Sequence, residues 1–206
     1  MDPIAIIEKY YDPSSEVYRI LLKHSLDVTD MALRLASRRP DLNLDVRFIE
    51  EAAMLHDIGV YLTDAPGICC FGSEPYIRHG ILGAAILRRE GLPLHARVAE
   101  RHTGTGLTAA EIVSRQLPLP VQDFSPQTVE EKIICFADKF FSKSHLERVR
   151  TPQQVLQSLE KYGDEGLQRM HRWMDVFGPI PVYSGNRSLE KTAFKLSLDS
   201  QPFRSS

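Results

Sequence analysis

The sequence predicts an all-α fold: a helical bundle with accessory helices toward the C-terminus. Three observations carry that expectation. Apolar residues recur at three- and four-residue spacing along most of the chain, capping residues and prolines separate those stretches, and no run alternates with a period of two strongly enough to compete as a strand.

The elements follow in order. Asp12-Pro13-Ser14-Ser15 offers a cap and a proline suited to a first helical turn, and Val17, Ile20, Leu21, His24, Val28, Met31, Ala32 and Leu35 then mark a helix ending near Arg38, before Pro40. A second helix opens at Asp45; its stripe of Ile49, Ala52, Ala53 and His56 precedes Gly59, read as the stop. Residues 60–73 hold Pro66, two glycines and the Cys69-Cys70 pair, which reads as a loop of a length often kept for function. Helices are expected from Pro75 to Glu90 and from Pro93 to His102, split by Gly91-Leu92-Pro93. Thr108 with Glu111, and Thr128 with Glu131, form capping boxes, the second opening a helix through Ile133, Ile134, Ala137, Asp138 and Phe141. Weaker helical patterns cover Pro152 to Tyr162 and Asp164 to Phe177. The stripe of Met170, Trp173, Met174 and Phe177 is expected in the core or a dimer contact rather than a substrate pocket. The expected organisation is one domain over residues 1–145, an accessory helical segment over 146–178 and a loosely held tail over 179–206.

Composition narrows the function classes. Hydrophobic residues make up 43% and charged residues 25% of 206, the balance of a globular protein. No apolar run is long enough to span a membrane, and the N-terminus lacks a secretory pattern. Three cysteines without CxxC spacing fit a reducing cytoplasm. A formal charge of -2 lacks the broad positive footprint of a protein that lives on extended nucleic acid, so the expected partner is a small substrate. A homodimer is left open.

The chemistry-bearing residues are His24 inside an apolar stripe, His56-Asp57 closing an apolar helix, His79 and His102 at the ends of amphipathic stretches, and Asp138 among Phe136, Phe140 and Phe141. Each alone reads as ordinary: a packed histidine, or a structural Asp138–Lys139 ion pair. Together they offer four imidazoles and two carboxylates, a mixture that borderline transition metals accept and a calcium site does not use. His95 reads as packed or adjacent to such a site, and His145 and His171 as structural.

These residues match the H…HD…H…H…D pattern, with Ile58-Gly59 after the HD, and the chain resembles the HD superfamily of HDIG type over residues 24–141. Arg78-His79-Gly80, Glu100-Arg101-His102-Thr103-Gly104 and the stretch from Glu131 to Asp138 are similar to small stand-alone HD phosphohydrolases, the diadenosine tetraphosphate hydrolases in particular. The resemblance implies metal ligands His24, His56, Asp57 and Asp138, with Asp57 bridging to a second ion at His79 and His102. It implies hydrolysis of a nucleotide or another small phosphate compound by hydroxide generated at a divalent metal, iron or manganese favoured over zinc, nickel, cobalt or magnesium. Two ions about 3.5 to 4 Å apart would clamp phosphoryl oxygens. Arg78, Thr103 and Lys139 are candidates for phosphate binding, with Thr103-Gly104-Thr105-Gly106 a flexible donor segment. Two other readings stand beside this one: a mixed-valent di-iron oxygenase with the same ligands, and a non-catalytic module sensing metal or nucleotide.

Overall fold

The computed structural model describes residues 1–181, and the expected tail beyond Pro181 lies outside the described residues. Among the described residues nine α-helices dominate: α1 (Pro3–Ile7), α2 (Glu16–Ser37), α3 (Val46–Leu55), α4 (His79–Arg89), α5 (Pro93–Arg101), α6 (Ala109–Ser114), α7 (Val129–Asp138), α8 (Pro152–Glu160) and α9 (Asp164–Phe177). The expected caps hold where local chemistry decides them. Ser15 and Asp45 cap α2 and α3, and Thr108 and Glu111 close a reciprocal box on α6. The box expected at α7 is half formed. Thr128 accepts from the Glu131 amide, but the Glu131 carboxylate accepts instead from the Gln127 amide at 2.6 Å and from Arg97 at 2.8 Å. A long-range cation has outcompeted the local return bond.

Residues 60–73 are not a plain loop. They contain β1 (Thr63–Ala65) and β2 (Cys70–Phe71), which with β3 (Glu74–Pro75) make a three-stranded sheet in the order β2-β1-β3. β1 pairs antiparallel with β2 and parallel with β3, Thr63 opposite Glu74. Strands this short carry no readable alternation. α4 also starts later than expected, because a 3-10 turn over Tyr76–Arg78 intervenes after Pro75.

Among the described residues two large apolar clusters build most of the interior, with a small third one of Leu107, Ile112 and Phe124. Val28, Met31 and Leu35 of α2 join Ile49 and Ala53 of α3 and Phe136 of α7 in one; Leu21, Leu55, Ile58 and Leu87 lie in the other. His24 falls on α2 between its contributions to the two clusters, and His56-Asp57 stands beside the same division on α3. The chemistry-bearing residues therefore occupy the seam between two cores.

α8 and α9 share the first of these cores. Val155, Leu159, Met170, Trp173 and Phe177 are buried with Phe136 and Phe140, and the Phe136 and Phe177 ring centroids lie 5.4 Å apart. The Met170 stripe is thus core, with Met174 partly buried against it. Each fully buried aromatic contributes roughly 2–3 kcal/mol of apolar transfer, enough to fix the helical pair against α7.

Gly59 does not act as a left-handed helix stop. Its φ is -86°, and α3 has already ended at Leu55. Glycine is required there by proximity: a Cβ would stand 2.3 Å from the Gly83 amide nitrogen and 2.4 Å from the His79 carbonyl oxygen. That contact sets the backbone of α4 against the turn that carries His56 and Asp57.

Candidate metal centre

Three of the four histidines are positioned by one local device. His56 caps the C-terminal end of α3, His102 that of α5, and His79 the 3-10 turn before α4. In each, the ring Nδ1–H donates to the carbonyl three residues back: His56 to Ala53 at 2.6 Å, His79 to Tyr76 at 2.7 Å, and His102 to Ala99 at 2.7 Å. These carbonyls are the ones a helix end leaves without a partner, so the ring satisfies the helix while the helix fixes the ring. With Nδ1 committed to a carbonyl, each ring turns its Nε2 inward, where it can serve as a ligand in the neutral form. His24 comes from the middle of α2, and Asp138 is the last residue of α7.

All six side chains converge and are buried, with Asp57 and His56 fully enclosed. Asp57 stands at the centre with its two oxygens facing opposite groups. Oδ2 is 3.0 Å from Nε2 of both His24 and His56, while Oδ1 is 3.2 Å from His102 Nε2 and 3.5 Å from His79 Nε2. Asp138 Oδ1 lies 3.0 Å from His24 Nε2 and 3.6 Å from His56 Nε2. Two sets of donor atoms result, each within 4.8 Å: His24, His56, Asp57 and Asp138, and Asp57, His79 and His102.

The donor set fits a cation. Nε2 of His24 and of His56 and both oxygens of Asp57 are buried without any hydrogen bond of acceptable geometry, despite their 3.0 Å approaches, and Asp57 Oδ2 has only the ion pair with Lys143. They point at shared space rather than at each other. Nε2 of His79 and of His102 are 2.9 Å apart, and with both Nδ1 protons committed to carbonyls the two lone pairs face one another. A positive charge between them is the natural compensation, since buried polar groups without partners are costly.

Charge balance reinforces this. Burial works against the Asp57 and Asp138 carboxylates, but the positive groups around them hold both well below the usual carboxylate range: His56 and Lys143 for Asp57, Lys139 with His24 and His56 for Asp138. Burial, helped by the neighbouring His102, keeps His79 neutral and lowers its pKa to about 3; burial also lowers that of His102. For His56 burial again favours the neutral ring, yet the Asp57 and Asp138 carboxylates outweigh it and raise the pKa to about 9.

A pH dependence follows. In metal-free protein at pH 7, His56 carries a proton that must leave before Nε2 can serve as a ligand, whereas His79 and His102 already present lone pairs. Metal affinity is expected to rise about tenfold per pH unit between pH 7 and 9 and to level off above, with about one proton released per ion bound near neutrality. Chelator competition across that range, with proton release counted by calorimetry in two buffers, checks this; a flat profile contradicts it.

Lys143 was not singled out in the sequence. It lies beyond α7, and its Nζ reaches Asp57 Oδ2 at 2.5 Å, a contact across 86 positions that periodicity does not reveal. Tyr76 stacks on the His79 ring at 4.7 Å between centroids. Lys139 pairs with Asp138 at 2.6 Å and donates to the His102 carbonyl at 3.0 Å. Thr103 and Lys139 line a cavity of about 380 Å³ that also reaches His79, His102 and Asp138. Arg78 instead pairs with Glu74 at 3.1 Å and lines neither that cavity nor the one of about 420 Å³ beside Ala65 and Ser142. His95 is buried against Phe48 and lies 3.4 Å from Glu51, outside the cluster. Burial pushes the Cys135 thiol up to about 12, so it is no nucleophile. Among the described residues no helix is long and apolar enough to cross a membrane.

Comparison with known proteins agrees with this architecture. The HD domain family matches residues 21–142. The chain is 33% identical over 149 residues to a tRNA (cytidine(56)-2'-O)-methyltransferase of Picrophilus torridus and 31% identical over 161 residues to the protein of the same name in Thermoplasma volcanium. Those matches cover 72% and 76% of this chain but only 37% and 42% of the relatives. An uncharacterized protein of Methanocaldococcus jannaschii is 37% identical over 121 residues, 57% of this chain and 64% of that protein. No solved structure matches.

Proposed function

The chain belongs to the HD domain family, and from that premise we propose that it is a metal-dependent phosphohydrolase acting on a small phosphorylated compound, nucleotides included. The observation that carries this reading is Asp57, whose two oxygens face two separate donor groups across one buried carboxylate. His24, His56, Asp57 and Asp138 would hold one divalent ion, and His79 and His102 would share Asp57 with a second, iron or manganese suiting imidazole with carboxylate. Bound there, the metal would supply Lewis-acid polarisation of a phosphoryl oxygen and lower the pKa of water.

The chain's own residues do the rest. Lys139 and Lys143, each fixed by a carboxylate of the cluster, bring two positive charges to the cavity wall where a phosphoryl group gains negative charge. The Thr103 hydroxyl lies on the same wall. Apolar residues on both sides of the seam keep bulk water from the buried carboxylates, which strengthens each of these interactions.

The test is metal-reconstituted turnover against nucleoside mono-, di- and triphosphates, dinucleoside polyphosphates and a phosphodiester, following phosphate and oxygen together. Because two relatives carry the name, methyl transfer to tRNA belongs in the same panel. Phosphorus–oxygen bond cleavage that depends on added metal is expected. Oxygen consumption by a redox-active iron pair without cleavage, or methyl transfer alone, would overturn the proposal.

A further inference from the structure

The cavity that reaches the His/Asp cluster is lined by five lysine and arginine side chains that fall into two classes. Two have carboxylate partners in the wall beside the cluster, Lys139 with Asp138 at 2.6 Å and Lys143 with Asp57 at 2.5 Å. Arg115 after α6, Arg150 before α8 and Lys161 at the end of α8 have no carboxylate within ion-pair distance among the described residues, although all three line that same cavity. Arg115 and Lys161 instead each stand 4.8 Å from the centroid of the Tyr162 ring. One aromatic ring thus accompanies two like charges, and cation–π attraction offsets a positive charge only modestly. Unneutralised cations around a concave surface raise the local concentration of anions.

We infer that this rim is a distal anion subsite, and that the substrate carries a second phosphate or other anionic group beyond the one delivered to the metal centre. The inference rests on the phosphohydrolase reading for the scissile group, while the rim itself rests on Arg115, Arg150, Lys161 and Tyr162. A simple phosphomonoester fills only the inner end; a linear polyphosphate chain or a doubly phosphorylated compound engages both. Arg115 and Lys161 then determine specificity by charge, and Tyr162 acts as a positioning residue that holds them at the rim. The position of these residues after α6 and at the end of α8 gives the C-terminal helical pair a role in substrate choice besides its packing on α7.

Calorimetric titration of the full-length, metal-loaded protein with tripolyphosphate and with orthophosphate tests this, with metal content checked after each titration. Wild-type protein is expected to bind tripolyphosphate at least about tenfold more tightly than orthophosphate. Arg115→Ala combined with Lys161→Ala is expected to lose about tenfold in tripolyphosphate affinity and less than about twofold in orthophosphate affinity. Tyr162→Ala shows a smaller loss of the same kind, and Tyr162→Phe, which keeps the ring face, shows none. Lys161 is exposed, so Lys161→Ala alone reads the charge without risk to the fold. Equal affinity of wild type for the two anions, or a double variant that keeps its tripolyphosphate preference, overturns the rim. Preferential binding without any phosphate-bond cleavage would overturn the hydrolase reading alone, and cleavage without preferential binding the rim alone.

Discussion

Asp57→Ala is expected to empty both metal positions at once and to lower kcat/KM at least about a thousandfold, the ratio that roughly 4 kcal/mol of lost transition-state stabilisation produces. The reason is geometric. Among the described residues Asp57 is the one side chain whose oxygens face both donor groups, Oδ2 toward His24 and His56 and Oδ1 toward His79 and His102. Its removal also leaves Lys143 without its 2.5 Å partner in a buried setting, and breaking one side of such a pair costs about 3–5 kcal/mol. Asp57→Asn keeps the volume and separates loss of the charge from loss of packing. Elemental analysis divides the cluster further: His79→Ala and His102→Ala are expected to retain about one equivalent, His24→Ala and Asp138→Ala to retain less. Full metal and full turnover in Asp57→Ala would sink the ligand assignment, and equal losses from all four others would sink the division into two groups.

Much of this was legible in the sequence because it is local. The α2 stripe, the caps of α3 and α6 and the bounds of α9 follow from spacing and hydrogen-bond chemistry within a few residues. The six convergent side chains were legible for another reason: each alone has an ordinary reading, but their joint H…HD…H…H…D pattern resembles the HD superfamily, and that resemblance named them as one set. What stayed hidden was non-local. The β1 to β3 sheet is a product of tertiary packing in strands too short to signal themselves. Lys143 meets Asp57 only because α7 ends beside α3's terminus, and Glu131 gives one carboxylate oxygen to Arg97 across 34 positions instead of closing its local box. The histidine-to-carbonyl bonds lie between. Once His56 and His102 are known to end helices, a bond to the third residue back is the expected satisfaction of an unpaired carbonyl.

The second large effect is expected from Gly59→Ala, a change of one methyl group that touches no donor atom. The added Cβ would meet the Gly83 nitrogen at 2.3 Å, the His79 carbonyl oxygen at 2.4 Å and the Gly83 Cα at 2.8 Å. All three are backbone atoms, so no rotamer change relieves the overlap and α4 itself must move. Overpacking usually costs about 1–3 kcal/mol with side chains able to yield, so a collision with a helix backbone belongs at or above roughly 3 kcal/mol. For a chain of this size that lowers Tm by roughly 6–12 °C. The displacement is directional as well. α4 begins at His79, whereas His24, His56 and Asp138 come from α2, α3 and α7, so Gly59→Ala is expected to weaken the His79 and His102 group before the other. Thermal unfolding and metal content measured on the same sample read both effects, and Gly67→Ala, where a Cβ meets nothing within 4 Å, is the matched control expected to change neither. A Gly59→Ala protein that melts with the control and binds its full complement of metal would show that α4 is not held against the His56-Asp57 turn in the way the glycine contact requires.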